Sequence, residues 1–337
     1  MDNPWSIDEF RPADAGGVTE LYRQVYGENY PVRDVYEPQK LIEQSVTGEA
    51  YRVVARTGSG EVIGHIAFYR SSPPNRNMYE LGQMMIRQDV RVSDIASRLF
   101  AYSLTETVAR HKLEQVWGEA VCNHLVTQQF AMDGGFSPAA LEVGLMPPDT
   151  FSSAFAQPTG SPGRISALAL FRAFQTKPQL LYLPSRYEEA LRFIYGPFDF
   201  GHTYRASVQE LPENMATSGQ INIFAKANVV RLALSAAGRD LADYMAAAEQ
   251  QALAAGAVVI QVYFPLTWPW AGAVAEHLHG RGYFLGGALP RWFDDDGLLM
   301  QKLLTEPDFD GIQLFRKQAR QILNYIRQDW LSGHAAR

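Results

Sequence analysis

Residues 79–104 read "YELGQMMIRQDVRVSDIASRLFAYSL" and hold the signal on which the fold turns. The first nine, "YELGQMMIR", have the composition and length of a β-strand. From Ala96 onward, Phe100, Leu104 and Val108 recur every four residues with Leu99 beside them, so residues 95–112 predict an amphipathic helix. A strand that runs through a short loop into a helix N-terminus presents unpaired N–H groups and about half a positive charge, a setting that suits a pyrophosphate. Asp94, where the helix begins, opens two readings: it caps those amides itself and repels phosphate, a repulsion that an exposed Arg91 would partly offset, or it points away and leaves them to a ligand.

Working outward, "WSIDEFRPAD" (5–14) alternates as a strand, and "GGVTELYRQVYGENY" (16–30) places Val18, Leu21, Val25 and Tyr26 at helical spacing. "EPQKLIEQSVTG" (37–48) predicts a second helix with Pro38 in its first turn. "YRVVART" and "VIGHIAFYR" flank "GSGE" as a hairpin. After the central helix come strand "LEQVWGEAV" (113–121), helix "HLVTQQFAMDGG" (124–135) and strand "AALEVGLM" (139–146). The order β-α-α-β-β-β-α-β-α-β makes this half α/β. The Pro, Ser, Gly and Thr of residues 147–163 mark a boundary or linker. Beyond it "QLLYLP", "INIFAKANVVRLALSAAG", "VVIQVYFPL" and "GYFLGGALPRWF" read as strands, and "DLADYMAAAEQQALAAG" and "AGAVAEHLHGRG" as helices. A terminal helix carries Ile312, Phe315, Ala319, Ile322 and Ile326 on one face. Both halves end in strand, helix, Gly-aromatic step and strand, a weak internal repeat.

With 337 residues, two domains are expected, each able to bury a core. Thirty basic against 36 acidic side chains, net charge -6, with no Lys/Arg block, argue against nucleic acid as a partner. The single cysteine, Cys122, leaves no internal disulfide and no thiolate zinc site, so no metal is expected. The acidic start lacks the marks of a signal peptide, and no apolar run spans a bilayer, so the expectation is a cytoplasmic protein without a membrane partner.

The loop Arg91-Val92-Ser93-Asp94-Ile95-Ala96 and the later "EAVCNHLVTQQFAMDGGF" resemble the GCN5-related acyltransferases, the GNAT family, over about residues 5–147. That family uses a loop of the form Arg/Gln-x-x-Gly-x-Gly/Ala to grip the pyrophosphate of acyl-CoA. Here Arg91 and Ala96 match, Asp94 stands at the glycine, and Val92 stands where a second glycine is usual. Asn123 follows the strand and Gly135-Phe136 the helix, as in the family. The tyrosine that many members use as general acid falls near Ala131 and is absent. The second half, through "RISALALFR" and "GYFLGGALPRWFDDDGLLMQKLL", is similar to the second GNAT-like module of some bacterial tandem proteins.

The resemblance implies an α/β protein of two GNAT-like modules, each a mixed, mostly antiparallel sheet flanked by helices: residues 1–147, a linker 148–163, residues 164–310, and a terminal helix 311–337. It implies an N-acyltransferase with acetyl-CoA or another acyl-CoA as cosubstrate, held by Met85, Ile86 and Arg91, Val92, Ser93, Asp94, Ile95 and Ala96. The acceptor is a small-molecule or peptide amine, and a homodimer is an expected assembly. Glu80 and Glu119 are the candidate bases and Asn123 borders the same cleft; a carboxylate whose pKa is raised by burial can deprotonate an ammonium. Glu80 and Gln83, three apart on a strand, are expected on opposite faces. His124 could relay a proton, and Cys122 reads as buried filling. The alternative is a non-catalytic tandem GNAT-like module that binds acyl-CoA or a protein partner.

Overall fold

The computed structural model describes residues 5–28, 30, 32–90, 94–148, 150 and 163–334. The described residues form two compact units, those up to residue 118 and those from residue 119 onward. The division falls inside a strand, whereas the expected module boundary lies at the Pro/Ser/Gly-rich stretch. Both units combine helices with a mostly antiparallel sheet. No helix among the described residues is long and apolar enough to cross a membrane.

In the first unit, strands β1 (Trp5–Glu9), β2 (Ala50–Thr57), β3 (Val62–Tyr69) and β4 (Tyr79–Ile86) pair antiparallel in chain order. The strand expected over 5–14 stops at Glu9, because Pro12 opens a 3-10 turn, Pro12–Asp14, and cannot continue the ladder. Asp14 closes that turn: it accepts Arg11 N at 2.6 Å and the buried Arg56 Nε at 2.6 Å, which fixes the entry to helix α1 (Ala15–Tyr26). Helix α2 (Pro38–Val46) follows, and its Leu41 carbonyl oxygen accepts the buried Arg52 Nη1 at 3.2 Å. Val18, Leu21, Tyr22, Val35, Leu41, Val54, Val62 and Met85 form one core under α1 and α2.

Helix α3 (Ile95–Tyr102) packs against Gly64, where an added Cβ would meet Leu99, Ile86 and Ile95 side chains at 2.9–3.1 Å. The helix expected over 95–112 is interrupted by a π-turn, Ser103–Thr107, before α4 (Val108–His111). Ser103 Oγ and Thr105 Oγ1 donate to Leu99 O and Ala101 O, the back-bonding by which hydroxyl side chains loosen a helix ladder. The helices cross from β4 to β5 (Gln115–Val121), which run parallel. This ladder comprises Tyr79↔Val116 and Glu80↔Trp117 and stops there.

Strand β4 is not regular. Against β3, Gly82 pairs with Ala67 but Met85 pairs with His65, so β4 spends one residue more than its partner. Gln83 absorbs the excess with φ +56, a conformation that a side chain makes costly.

In the second unit the strand order is β5, β7 (Ile165–Ala173), β6 (Ser137–Met146), β13 (Phe284–Leu289), β14 (Gly297–Leu303), β12 (Val259–Pro265), β11 (Val229–Ala236), β10 (Ser218–Phe224). Helix α5 (Val126–Asp133) joins β5 to β6. The stretch 221–238 is a hairpin turning at Asn228, which adopts φ +55. Strands β11 and β12 are parallel, joined through α7 (Leu241–Ala254), so each unit holds a parallel crossover. A separate parallel pair, β8 (Leu180–Leu183) and β9 (Thr203–Ala206), brackets α6 (Glu188–Tyr195); β9 carries no sequence signal. Helices α8 (Ala271–Gly280) and α9 (Lys317–His334) complete the unit.

Strand β13 meets β6 at Gly287↔Ala140. Gly287 has φ +132, and a Cβ there would lie 2.3 Å from Ala139 O. Beside it the Gln301 side chain replaces missing ladder bonds, donating to Leu141 O at 2.9 Å and accepting Val143 N at 2.9 Å. Gly287→Ala should therefore cost about 2–4 kcal/mol, combining backbone strain with overpacking. Urea unfolding checks this; a midpoint unchanged from wild type would contradict the close approach.

Candidate active site

The extra residue of β4 gathers a polar and aromatic cluster in the first unit. Both ends of Gln83 are held: Tyr22 OH donates to its Oε1 at 2.8 Å, and His65 Nδ1 donates to its carbonyl at 3.0 Å. Tyr30 interacts with Gln83 and also lies in the field of Glu80. The expectation that Glu80 and Gln83 serve opposite faces therefore fails, because the bulge interrupts the two-residue alternation. Tyr69 OH donates to Glu80 Oε1 from the directly opposite position on β3. Tyr30 packs 5.1 Å from Tyr22 and 5.0 Å from Tyr26, ring to ring.

The electrostatics follow from burial. His65 has no exposed surface, and this desolvation, with Arg52 adding to it, pushes its imidazole down to about 3. A neutral ring whose Nδ1–H donates to Gln83 is the only form that fits. Burial likewise raises the phenols of Tyr22 and Tyr30, with Tyr26 and then Glu80 adding to the effect on Tyr30. Neighbouring Arg52, with 4% of its surface exposed, is pushed down to about 10 by burial.

The residues expected to hold acyl-CoA are divided. Met85 points into the α1 core and Ile86 toward α3, so neither offers an open side chain. Arg91, Val92 and Ser93 lie outside the described residues. Ile95 is fully buried and Ala96 half-buried in the first turn of α3. Asp94 does not cap the helix: its carboxylate makes no bond to the first-turn amides, lies 4.0 Å from Arg98 and is 64% exposed. Of the two readings of Asp94, the one in which it caps the amides itself is not met by this geometry. Among the described residues no group of three or more His, Cys, Asp or Glu is placed to hold a metal ion.

Glu119 and Asn123 belong to the second unit. Arg231 on β11 reaches both Glu119, at 3.1 Å, and Glu142 on β6, at 2.8 Å. Gln261 on β12 links the group, accepting Arg231 Nε and Tyr263 OH and donating to Glu142 Oε1 at 2.9 Å. One cation faces two carboxylates, and Glu142 Oε2 is buried with no hydrogen-bond donor among the described residues. Burial pushes the Glu142 carboxyl up to about 8; Arg231 opposes the shift and Glu119 adds to it. Asn123 follows in a bend, its Oδ1 buried without a partner among the described residues. Cys122 is buried, with its thiol pushed up by desolvation, and burial lowers His124. Asp240 does not cap α7 but accepts Thr217 N and Oγ1, at 2.8 and 2.7 Å.

Sequence reasoning missed Tyr22, Tyr69, His65, Glu142 and Arg231. Tyr22 was readable, lying four residues before Tyr26 and four after Val18. Glu142, Arg231 and Gln261 each stand alone in an apolar strand, a pattern that marks buried polar groups needing partners.

The Glu142 geometry sets a pH dependence. The folded carboxyl holds its proton to about 8 whereas an unperturbed glutamate releases it near 4.5, so the folded state binds more protons across that window. This contribution to stability is full below about 4.5, falls as pH rises, and levels off above about 8. Glu142→Gln, which imitates the protonated form, should be more stable than wild type by a margin that grows from pH 5 to pH 8. Urea midpoints at those pH values test it, and a margin independent of pH would contradict it.

No family model matches the chain, and no curated protein matches it. Among solved structures it is similar to a ribosomal-protein-S5-alanine acetyltransferase from Vibrio fischeri, at 9% identity over 51% of this chain and 94% of that one, with TM-score 0.40. It is also similar to a GNAT-family acetyltransferase from Desulfovibrio desulfuricans (15% identity, 50% and 98%, TM-score 0.37). An N-acetyltransferase from Staphylococcus aureus Mu50 gives 12% identity, 51% and 99%, and TM-score 0.39.

Proposed function

We propose that this chain is an acyl-CoA-dependent N-acyltransferase of the GNAT type, with the cosubstrate held by the first unit and a small-molecule or peptide amine as acceptor. The observation that carries the reading is the bulged strand β4: it places Glu80 and Gln83 in one tyrosine-lined cluster and then runs toward the N-terminus of α3. The α3 amides, which the Asp94 side chain leaves uncapped, fit the pyrophosphate, and backbone released from the ladder at a bulge fits the polar groups of an extended acyl-pantetheine chain. Glu80 accepts the proton that an ammonium sheds before its nitrogen attacks the thioester, so catalysis consists of positioning and deprotonation. Glu80 is preferred to Glu119, which is engaged with Arg231 and Glu142. The module boundaries at 147 and 164 belong to the same proposal, supported by the Pro/Ser/Gly-rich composition of the stretch between them.

The exposed Asp94 charge at the helix start favours a second reading, a module that binds acyl-CoA or a protein partner without turnover. Calorimetry with acetyl-CoA and with CoA, followed by CoA-thiol release in the presence of primary alkylamines or a lysine peptide, separates the two. The acyltransferase reading expects binding and turnover, with Glu80→Gln lowering turnover at least tenfold while acetyl-CoA affinity stays within about threefold. Binding without turnover of any amine selects the second reading; no heat at millimolar acetyl-CoA refutes the acyltransferase reading. Because the Asp94 charge is exposed and screened, Asp94→Gly should change CoA affinity by no more than about threefold, toward tighter binding.

A further inference from the structure

Gly82 has an ordinary backbone conformation and therefore needs another reason to lack a side chain. The reason is on the adjacent strand. A Cβ at Gly82 would lie 3.0 Å from the Tyr69 hydroxyl oxygen and 3.3 Å from Cε1 of its ring, so the Tyr69 ring lies across β4 over this residue. In that pose its hydroxyl reaches Glu80, two residues before Gly82 and directly opposite Tyr69 in the β3–β4 pairing. Both side chains are only partly buried.

We propose that Tyr69 is the positioning residue of the proposed base: its hydroxyl fixes the orientation and proton affinity of the Glu80 carboxylate, and Gly82 is small so that the ring can lie there. The inference deepens the acyltransferase reading and rests on it for its catalytic meaning, although the pair exists independently of any ligand. A neutral hydroxyl that donates to a carboxylate stabilises the charged form and leaves one lone pair fewer to rotate freely, which aims the remaining oxygen. Tyr30, raised by burial and so neutral, also lies in the field of Glu80.

The test is carbon-13 NMR of the full chain carrying glutamate labelled at its carboxyl carbon, with the Glu80 signal assigned by its loss in Glu80→Gln. In Tyr69→Phe, which removes only the hydroxyl, the midpoint of the Glu80 titration should move to higher pH by about half to one unit, the size of one hydrogen bond. Gly82→Ala should give a shift of the same sign by displacing the ring. A midpoint unchanged in folded Tyr69→Phe overturns the proposal, and one unchanged in Gly82→Ala overturns the part assigned to Gly82. The activity readout is separate: Tyr69→Phe should lower kcat several-fold and move the acidic limb of its pH profile with the NMR midpoint, leaving KM for acetyl-CoA unaltered. If acetyl-CoA does not bind wild-type protein, the acyltransferase reading fails while the NMR result still decides the pair.

Discussion

One surplus residue in β4 governs the first unit. Because Gly82 pairs with Ala67 and Met85 with His65, the strand must store an extra residue between them, and Gln83 does so in the left-handed region at a cost of about 1–3 kcal/mol. Two bonds from different elements offset that cost, one from Tyr22 on α1 and one from His65 on β3. The arrangement then constrains its neighbours. His65 has to remain neutral, since a charged ring there would be buried beside Arg52, and Tyr22 has to be fully enclosed for its hydroxyl to reach the strand. Beyond the bulge the parity of β4 is reset, so Met85 enters the α1 core and Ile86 turns toward α3.

The second unit meets a different constraint, that of charge balance. Arg231, Glu119, Glu142 and Gln261 come from four strands, and their single positive charge cannot neutralise two ionised carboxylates in a buried setting. Burial accordingly holds the proton on Glu142 to higher pH than on a free glutamate. Removing Arg231 alone would leave two acids with no counter-charge, a greater loss than replacing the whole group with apolar residues of similar volume.

These two features mark where the sequence could be read and where it could not. The succession of strand, loop and helix over residues 79–111 was legible because each segment is long enough to show its own period. The bulge was not, because it is a property of the β3–β4 pairing rather than of β4 by itself: "YELGQMMIR" has no glycine at the position that adopts positive φ, and Gly82 beside it is small for Tyr69. Glu80 and Glu119 were found as candidates by residue type and strand position, but their partners Tyr69, Arg231 and Glu142 lie 11, 112 and 23 positions away in the chain, beyond any local pattern. Which of the two readings of Asp94 holds for its side chain was likewise open to the sequence, since Asp94 and Arg98 one turn along α3 allow either.

Hydrogen exchange of the full chain, with and without saturating acetyl-CoA, tests the central claim most directly, because it reports which backbone amides the ligand covers without requiring an acceptor. The account predicts slowed exchange concentrated in peptides spanning residues 79–102, the bulged strand and the start of α3, with little change in the second unit. Binding of acetyl-CoA that protects other segments and leaves residues 79–102 unchanged would contradict it.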